Sequence, residues 1–223
     1  METKKNTQNR RPRSLSAKKQ KSGTEAKESK QSEKKQPAKA KAGAVKSVRS
    51  LAGQEEKKGS EKLKIIPLGG LNEIGKNMTV FEYGDDIFLV DCGLTFPDDE
   101  LLGVDLVIPD MSYLVKNRER VRGVVLTHAH EDHIGALPYV LKDVNVPVYS
   151  TKLTIALIAN KLKEHNMTNT TKLKEVRHGQ VINLGDFSIE FIKTNHSIQD
   201  ASALAIYSPA GIVVHTGDFK VDY

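Results

Sequence analysis

The chain has 223 residues and a formal net charge of +6, but this charge is divided unevenly along it. Of the 34 Lys and Arg and 28 Asp and Glu residues, 18 basic and 6 acidic ones lie within 1–60, which gives that segment a net charge of +12 and the rest −6. No window approaches the ~20 apolar residues of a membrane span, and the single cysteine, Cys92, excludes an intramolecular disulfide. We therefore expect a soluble protein of the cytoplasm, with no membrane partner.

Residues 1–60 contain no aromatic residue and few branched aliphatic ones, so they cannot bury enough apolar surface to offset the entropy of ordering. We predict a disordered, Lys-rich tail. Its basic runs at 10–13 and 18–21 would attract a polyanion such as RNA by releasing condensed counterions. A solvated tail without a specific partner is the alternative. Residues 61–223 are predicted to form the folded domain.

From residue 63 onward, short β-branched runs alternate with clusters of Gly, Asn and Asp, which is typical of strands separated by turns. The predicted strands are 63–68, 77–83, 87–91, 122–127, 146–149, 180–184, 187–194, 202–208 and 211–215. Turn residues at 84–86, 185–186 and 209–211 predict antiparallel hairpins. Helical periodicity occurs at 111–119, 134–142 and 153–164. These elements predict an α/β fold in which two sheets pack face to face with helices outside.

Metal-ligand chemistry is concentrated in the run Thr-His-Ala-His-Glu-Asp-His at 127–133. His128 and His130 are two residues apart after an apolar strand, so both imidazoles project from the same side of an extended segment. Asp132 and His133 follow where the chain turns into a helix. Imidazole and carboxylate donors at such short spacing suit Zn²⁺, so the run predicts a metal site.

Four ligands from one loop cannot enclose two metal ions, so further ligands must come from other strand ends. His196 follows the predicted strand 187–194, and Asp218 follows the predicted strand 211–215. Both are therefore candidate ligands. His165, at a helix end, and His178, in a turn, are weaker candidates.

The residues above resemble the motifs of the metallo-β-lactamase superfamily, in which an early-strand Asp, a His-x-His-x-Asp-His loop, a distant His and a bridging Asp occur in this order. Here these are Asp91, 128–133, His196 and Asp218. Within that superfamily the chain resembles the ribonuclease J family over 63–223, and the specific segments are 67–77, 98–105 and 217–220. The resemblance implies a metallo-β-lactamase αββα sandwich, RNA as the partner, and an oligomer of identical subunits or with a paralogue.

The resemblance also implies two metal ions, either Zn²⁺ or, as alternatives, Mn²⁺ or Mg²⁺. One ion would be held by His128, His130 and His196, and the other by Asp132 and His133. Asp218 would bridge them. The implied catalytic residues are Asp132, His133 and Asp218.

Four further residues near these motifs have more than one interpretation. Asp91 is expected to orient a ligand imidazole, with a strand-end cap as the alternative. His215 could contact RNA, transfer a proton or pack at a strand end, and Lys220 could contact RNA. Cys92 is predicted to be a small packed residue. Glu131 is predicted to be a solvated loop residue.

Ribonucleases J continue beyond the matching region with an inserted β-CASP domain and a further ligand His, so the resemblance implies a domain that is truncated before this insertion and an αββα sandwich that is incomplete. We therefore expect one well-formed metal position, a weak second one and little nuclease activity from this chain alone.

The implied function is metal-dependent hydrolysis of RNA phosphodiesters by 5′–3′ exonuclease or endonuclease action in RNA processing and decay. The metal loop alone does not distinguish substrates, so a same-fold hydrolase of a small thioester or lactam remains an alternative. The other alternative is a non-catalytic RNA-binding subunit.

Overall fold

The computed structural model describes residues 61–98 and 100–222, so the predicted tail over 1–60 lies outside the described residues. Ten strands in two sheets and four short to medium α-helices make up the described part. Among these residues, none of the helices is long and apolar enough to cross a membrane.

The first sheet has six strands in the order β1-β2-β3-β4-β5-β6. Its strands are β1 Lys64–Gly69, β2 Met78–Tyr83, β3 Asp86–Val90, β4 Val121–Val125, β5 Val148–Ser150 and β6 Leu173–Glu175. β1, β2 and β3 pair antiparallel, whereas β3 to β6 pair parallel. The carboxyl ends of the four parallel strands therefore meet at one edge of the sheet, where α/β proteins commonly build their sites.

The second sheet has four antiparallel strands in the order β10-β9-β8-β7. They are β7 Val181–Leu184, β8 Phe187–Lys193, β9 Ser202–Ser208 and β10 Gly211–His215. The predicted hairpins are confirmed, because β2 pairs with β3, β7 with β8, and β9 with β10 across the turns identified in the sequence.

Along the chain, helices connect successive strands of the first sheet from β3 to β6. They are α1 Ser112–Lys116, α2 Glu131–Ile134, α3 Leu137–Asp143 and α4 Lys152–Glu164, and a 3₁₀ turn at Arg118–Arg120 follows α1. Their buried side chains, such as Leu114, Leu137 and Ile158, join the outer face of the first sheet in one apolar cluster. Burial of each such side chain contributes about 1.5–3 kcal/mol.

A second apolar cluster fills the space between the two sheets. The Phe81 and Phe88 rings stack at 5.1 Å, and Phe187 from the second sheet meets Phe88 edge-on at 4.8 Å. The side chains alternate along each strand, so one face of the first sheet supplies this cluster and the other supplies the helical layer. The predicted mixed α/β architecture with two packed sheets is confirmed.

Two predicted helices differ in extent, and one strand of the structure was not predicted. The helix predicted over 111–119 ends at Lys116, and the helix predicted over 134–142 begins earlier and is split between α2 and α3. Pro138 lies in the first turn of α3 and begins a helix more readily than it continues one, which favours a new helix at this point. Strand β6 was not predicted, because three residues are too short for a detectable period.

Candidate metal centre

The metal loop, residues 127–133, follows the carboxyl end of β4 and continues into the first residues of α2. Its start is fixed by two neighbouring segments, since Ser202 N donates to Thr127 O at 3.0 Å and Thr127 N donates to Asp91 Oδ1 at 2.8 Å. The backbone of His133 then donates to His130 O at 2.9 Å, which begins the helix. The backbone of the loop is therefore held at both ends.

Three imidazoles converge above this loop. Nε2 of His128 lies 3.0 Å from Nδ1 of His130, and Nε2 of His196 lies 3.2 Å from the same Nδ1 atom. His196 reaches the group from the loop after β8, although it is 66 residues from His130 in the chain. The structure thus brings together the three residues predicted for the first metal position.

A second group of potential donors adjoins the first. His128, His133 and Asp218 offer atoms that all lie within 4.8 Å of one another. Oδ2 of Asp218 is 3.5 Å from Nε2 of His133 and 3.8 Å from Nε2 of His196, so this carboxylate stands between the two groups. Asp132 Oδ2 is 3.5 Å from Nε2 of His133, but Asp132 belongs to neither of the two groups of closely spaced ligand atoms. His128 belongs to both groups.

Asp91 anchors the centre from below. It has a positive φ of 62° at the end of β3, and its buried carboxylate accepts hydrogen bonds from Thr127 and faces Nδ1 of His133 at 2.8 Å. Burial would raise the pKa of Asp91, but the hydrogen bond and charge of His133 outweigh it and lower that pKa. The contact leaves Nε2 of His133 facing Asp132 and Asp218.

The protonation of the histidines differs within the centre. Burial, assisted by the charge of His133, lowers the pKa of His128 to about 4, so its ring is neutral near pH 7. Burial also lowers the pKa of His196. Burial opposes the charge on His133, yet Asp91 prevails and raises its pKa to about 9.

This donor set fits a divalent cation. Imidazole nitrogens are common ligands of divalent metal ions, and the ring nitrogens of His128, His130 and His196 face one another at 3.0 and 3.2 Å. The adjoining carboxylates are partly open to solvent, with side-chain exposures of 38% for Asp132 and 46% for Asp218, which leaves access for a substrate.

The other predicted residues lie around the centre in different ways. His215 lines a cavity of about 260 Å³ together with Asp91, His133 and Asp218, and its Nδ1 accepts from Gly217 N at 3.2 Å. Lys220 is exposed, and its backbone N donates to Asn195 O at 2.6 Å.

Four residues interpreted from the sequence lie apart from the donor groups. Cys92 is fully buried, and burial raises the pKa of its thiol well above the ordinary value. Glu131 is half exposed and pairs with Lys161 at 2.8 Å. His165 ends α4, and His178 faces Ser202 Oγ at 3.1 Å.

Two contributors were missed in the sequence. Asn77 ends the Gly-rich connection and lies against Asp132 and His133 through its side-chain nitrogen. Thr127 opens the metal-loop motif, but its contact with Nδ1 of His128 at 3.0 Å depends on a side-chain rotamer that the sequence does not specify. The motif 67–77 was the available signal for Asn77, although nothing in it indicated a partner 55 residues away.

Comparison with known proteins supports the resemblance drawn from the motifs. The chain is 51% identical over 166 residues to Ribonuclease J of Synechocystis sp., a match that covers 74% of this chain and 26% of that protein. It is 46% identical over 159 residues to Ribonuclease J 1 of Streptococcus pyogenes, covering 71% of this chain and 28% of the relative. The predicted resemblance to ribonuclease J is confirmed, and the matched region corresponds to little more than a quarter of these relatives' length.

Similarity to solved structures supports the fold alone. A crystal structure of a protein of unknown function from Enterococcus faecalis has a TM-score of 0.57 at 22% identity, covering 72% of this chain and 44% of that one. The metallo-beta-lactamase fold protein YhfI from Bacillus subtilis has a TM-score of 0.50 at 24% identity, covering 72% and 64%. Residues 71–221 match the Metallo-beta-lactamase superfamily profile, and the chain therefore belongs to the metallo-β-lactamase superfamily.

Proposed function

We propose that this chain supplies the metal-binding region of a ribonuclease that hydrolyses RNA phosphodiesters with divalent metal ions. The observation that carries the proposal is the position of Asp218, whose carboxylate lies 3.5 Å from Nε2 of His133 and 3.8 Å from Nε2 of His196. One carboxylate between two donor groups is the arrangement that a bridged pair of cations requires. The identity of 51% to a protein named Ribonuclease J supports RNA as the substrate.

His128, His130 and His196 would hold one ion, and Asp132, His133 and Asp218 the other, with Zn²⁺ the expected metal and Mn²⁺ or Mg²⁺ the alternatives. Bound cations supply Lewis acidity, which lowers the pKa of water and stabilises charge on phosphoryl oxygens. The chain's own groups prepare this chemistry. Asp91 accepts a hydrogen bond from Nδ1 of His133, and this orients Nε2 of the same ring toward the carboxylates of Asp132 and Asp218.

The surroundings favour an open, extended substrate. Asp132 and Asp218 are each more than a third exposed, whereas His128 and His133 are buried beneath them, so a phosphodiester can approach the carboxylates from solvent while the imidazoles stay shielded. His215 borders the same cavity and is a candidate for proton transfer or RNA contact. Lys220, exposed near His196, is a candidate contact for an RNA phosphate.

The longer protein of which such a domain forms part would act as a 5′–3′ exonuclease, an endonuclease or both, and would work as an oligomer in the cytoplasm. Hydrolysis is expected to leave a 5′-phosphate and a 3′-hydroxyl. The net charge of +12 over 1–60 supports an additional electrostatic contact with RNA.

A chimera tests the function. Residues 61–222 would replace the matched region of the Synechocystis relative, and hydrolysis of end-labelled 5′-monophosphorylated RNA would be followed with Zn²⁺ or Mn²⁺ and after chelation. We expect metal-dependent cleavage that His128→Ala with His130→Ala abolishes, and that the matched variant His165→Ala retains. Mononucleotide products would indicate exonuclease action, and internal fragments endonuclease action.

Two outcomes would contradict the proposal. A folded, metal-loaded chimera that cleaves a small thioester or a β-lactam but not RNA would favour the other hydrolases of this fold. A chimera that binds RNA without cleaving it would favour a non-catalytic RNA-binding subunit.

A further inference from the structure

Asn77 lies where three segments of the chain meet. Its backbone N donates to Asp132 O at 3.0 Å, and its backbone O accepts from Gly93 N at 2.8 Å. These two bonds tie the connection after β1 to the loop after β3 and to the metal loop. The residue is therefore fixed by its main chain before its side chain makes any contact.

The side chain of Asn77 points at the metal loop. Nδ2 lies 3.1 Å from Asp132 O, 3.3 Å from Asp132 Oδ2 and 3.2 Å from Nε2 of His133. The two Asp132 oxygens can only accept, so the amide nitrogen, not the amide oxygen, must face them. A single amide nitrogen thus contacts one candidate metal-ligand atom of Asp132 and one of His133.

The packing around Asn77 leaves this geometry little freedom. A β-carbon on Gly93 would lie 1.6 Å from Asp132 O and 2.6 Å from Asn77 N, and one on Gly70 would lie 2.6 Å from Asn77 Oδ1. Both positions therefore require glycine. Lys76, just before Asn77, has a positive φ of 51°, which turns the chain into the site.

Asp132 has particular need of such a contact. Its side chain is 38% exposed, and it belongs to neither tight donor group, so its carboxylate could turn into solvent at little cost. A hydrogen bond from Asn77 holds it on the side of His133. The same Nδ2 atom lies 3.2 Å from Nε2 of His133, so one amide contacts two of the candidate ligands of the second position.

We propose that Asn77 is a positioning residue for the second metal position, where it orients the Asp132 carboxylate beside Nε2 of His133. The inference rests on the proposed metal-dependent function. Among the described residues, the Asn77 side chain makes no hydrogen bond to the three histidines of the first position, His128, His130 and His196. Loss of the amide should therefore act on one metal and spare the other.

The test compares Asn77→Ala with Asn145→Ala in the full chain. Nδ2 of Asn145 donates to a backbone oxygen, Thr170 O, at 2.9 Å and lies away from the centre, so it is a matched control. Metal-free protein would be titrated with Co²⁺, whose visible absorption reports each binding step separately. We expect Asn77→Ala to weaken the second step by roughly tenfold, as loss of such outer contacts typically does, and to leave the first step within about twofold. Asn145→Ala should change neither step.

Asn77→Ser guards against misfolding, because its hydroxyl can still donate. It is expected to fall between wild type and Asn77→Ala in the second step, and thermal melting of the metal-free proteins would show whether both variants fold. Equal weakening of both steps, an unchanged second step or the absence of a second step in wild type would overturn the inference. Failure of the chimera to cleave RNA, with the two-step difference intact, would overturn the proposed function and leave the role of Asn77 standing.

Discussion

Among the described residues, the cluster around Glu82 and the metal loop both contain buried polar side chains, but their contacts differ in kind. Around Glu82, on β2, a carboxylate of 6% side-chain exposure meets Arg120 at 2.8 Å, Lys64 at 2.9 Å and the hydroxyl of Tyr113. Every contact joins a donor to an acceptor. At the metal loop, by contrast, ring nitrogens face ring nitrogens at 3.0 and 3.2 Å.

The difference teaches how a structural cluster can be told from a functional one. The carboxylate of Glu82 is paired with hydrogen-bond donors of its own chain, and removing one partner of such a buried pair destabilises a fold. Ring nitrogens that face one another cannot all be paired as hydrogen-bond donor and acceptor, so lone pairs remain for an external cation. On this basis the Glu82 cluster should control stability and the metal loop should control metal content.

The largest expected effect is on metal content. Changing His128 and His130 to Ala removes two of the three imidazoles of the first position, so we expect more than about nine-tenths of bound zinc to be lost. Emission spectrometry of the dialysed protein measures this, with circular dichroism to establish folding. The matched control changes His165 and His178, which lie outside both donor groups, to Ala. If the folded loop variant retained its zinc, the assignment of a metal site to this loop would be wrong, and so would the contrast with the Glu82 cluster.

Substitution in the Glu82 cluster should change the free energy of unfolding and not the metal content. Interactions with Tyr113, Arg120 and Lys64 overcome burial and lower the pKa of Glu82 from 4.5 to about 2, which corresponds to about 3 kcal/mol of stability near pH 7. We expect Glu82→Gln to lose this amount in urea unfolding while metal content stays unchanged. Glu119→Gln is the control, because Glu119 is 88% exposed and should change stability by less than about 0.5 kcal/mol. Equal effects of the two variants would show that the Glu82 cluster stabilises nothing.

The same carboxylate predicts a pH dependence. Because the folded pKa of Glu82 lies below its unfolded value, its contribution is fully present above pH 4.5 and is lost as the pH falls from about 4.5 to about 2. The difference in unfolding free energy between wild type and Glu82→Gln should therefore shrink across that window. Urea unfolding at pH 6, 4 and 3 measures it. A difference that stays constant with pH would assign the stabilisation to packing and not to charge.

The contrast between these clusters also explains what the sequence could predict. His128, His130 and His133 were identifiable because their spacing is local, and His196 and Asp218 because each follows a recognisable strand. Glu82 and Asn77 gave no such signal, since their partners are brought to them by sheet pairing and by loop crossings.

The fold was predictable to the same extent. Apolar runs bounded by turn residues identify β2, β8 and β9, whereas β6 has only three residues and is defined by its parallel pairing with β5. The two-sheet architecture follows from the hairpins, but the break between α2 and α3 falls inside a single predicted helix and was not predicted.

Within the metal centre, a smaller difference is expected between the two positions. The first has three imidazoles, whereas the second has His133 with carboxylates that are 38% and 46% exposed. We expect the second metal ion to bind at least about tenfold more weakly than the first, because exposed carboxylates must be ordered and desolvated to bind a metal ion. Titration of the metal-free chain with Zn²⁺ against a chelating indicator measures both steps. Two steps of equal affinity would contradict this ranking.

The smallest effect is expected at Glu131 and Lys161, which stand beside the metal loop without belonging to either cluster. Their side chains meet at 2.8 Å with exposures of 48% and 18%, and ion pairs of this kind contribute about 0–1 kcal/mol. The loop is held here by the backbone, since Glu131 O accepts from Gly135 N at 2.7 Å and from Leu94 N at 3.2 Å, and substitution leaves both bonds intact.

We therefore expect Lys161→Met and Glu131→Gln each to change stability by less than about 1 kcal/mol and metal affinity by less than about twofold. A double-mutant cycle in urea would give the pair's coupling energy, and this coupling should vanish at 1 M salt, where the screening length is about 3 Å. A tenfold loss of metal in either variant would mean that the metal loop depends on a charge match after all. The kind of contact would then no longer distinguish the Glu82 cluster, which we expect to act on stability, from the metal loop, which we expect to act on metal binding.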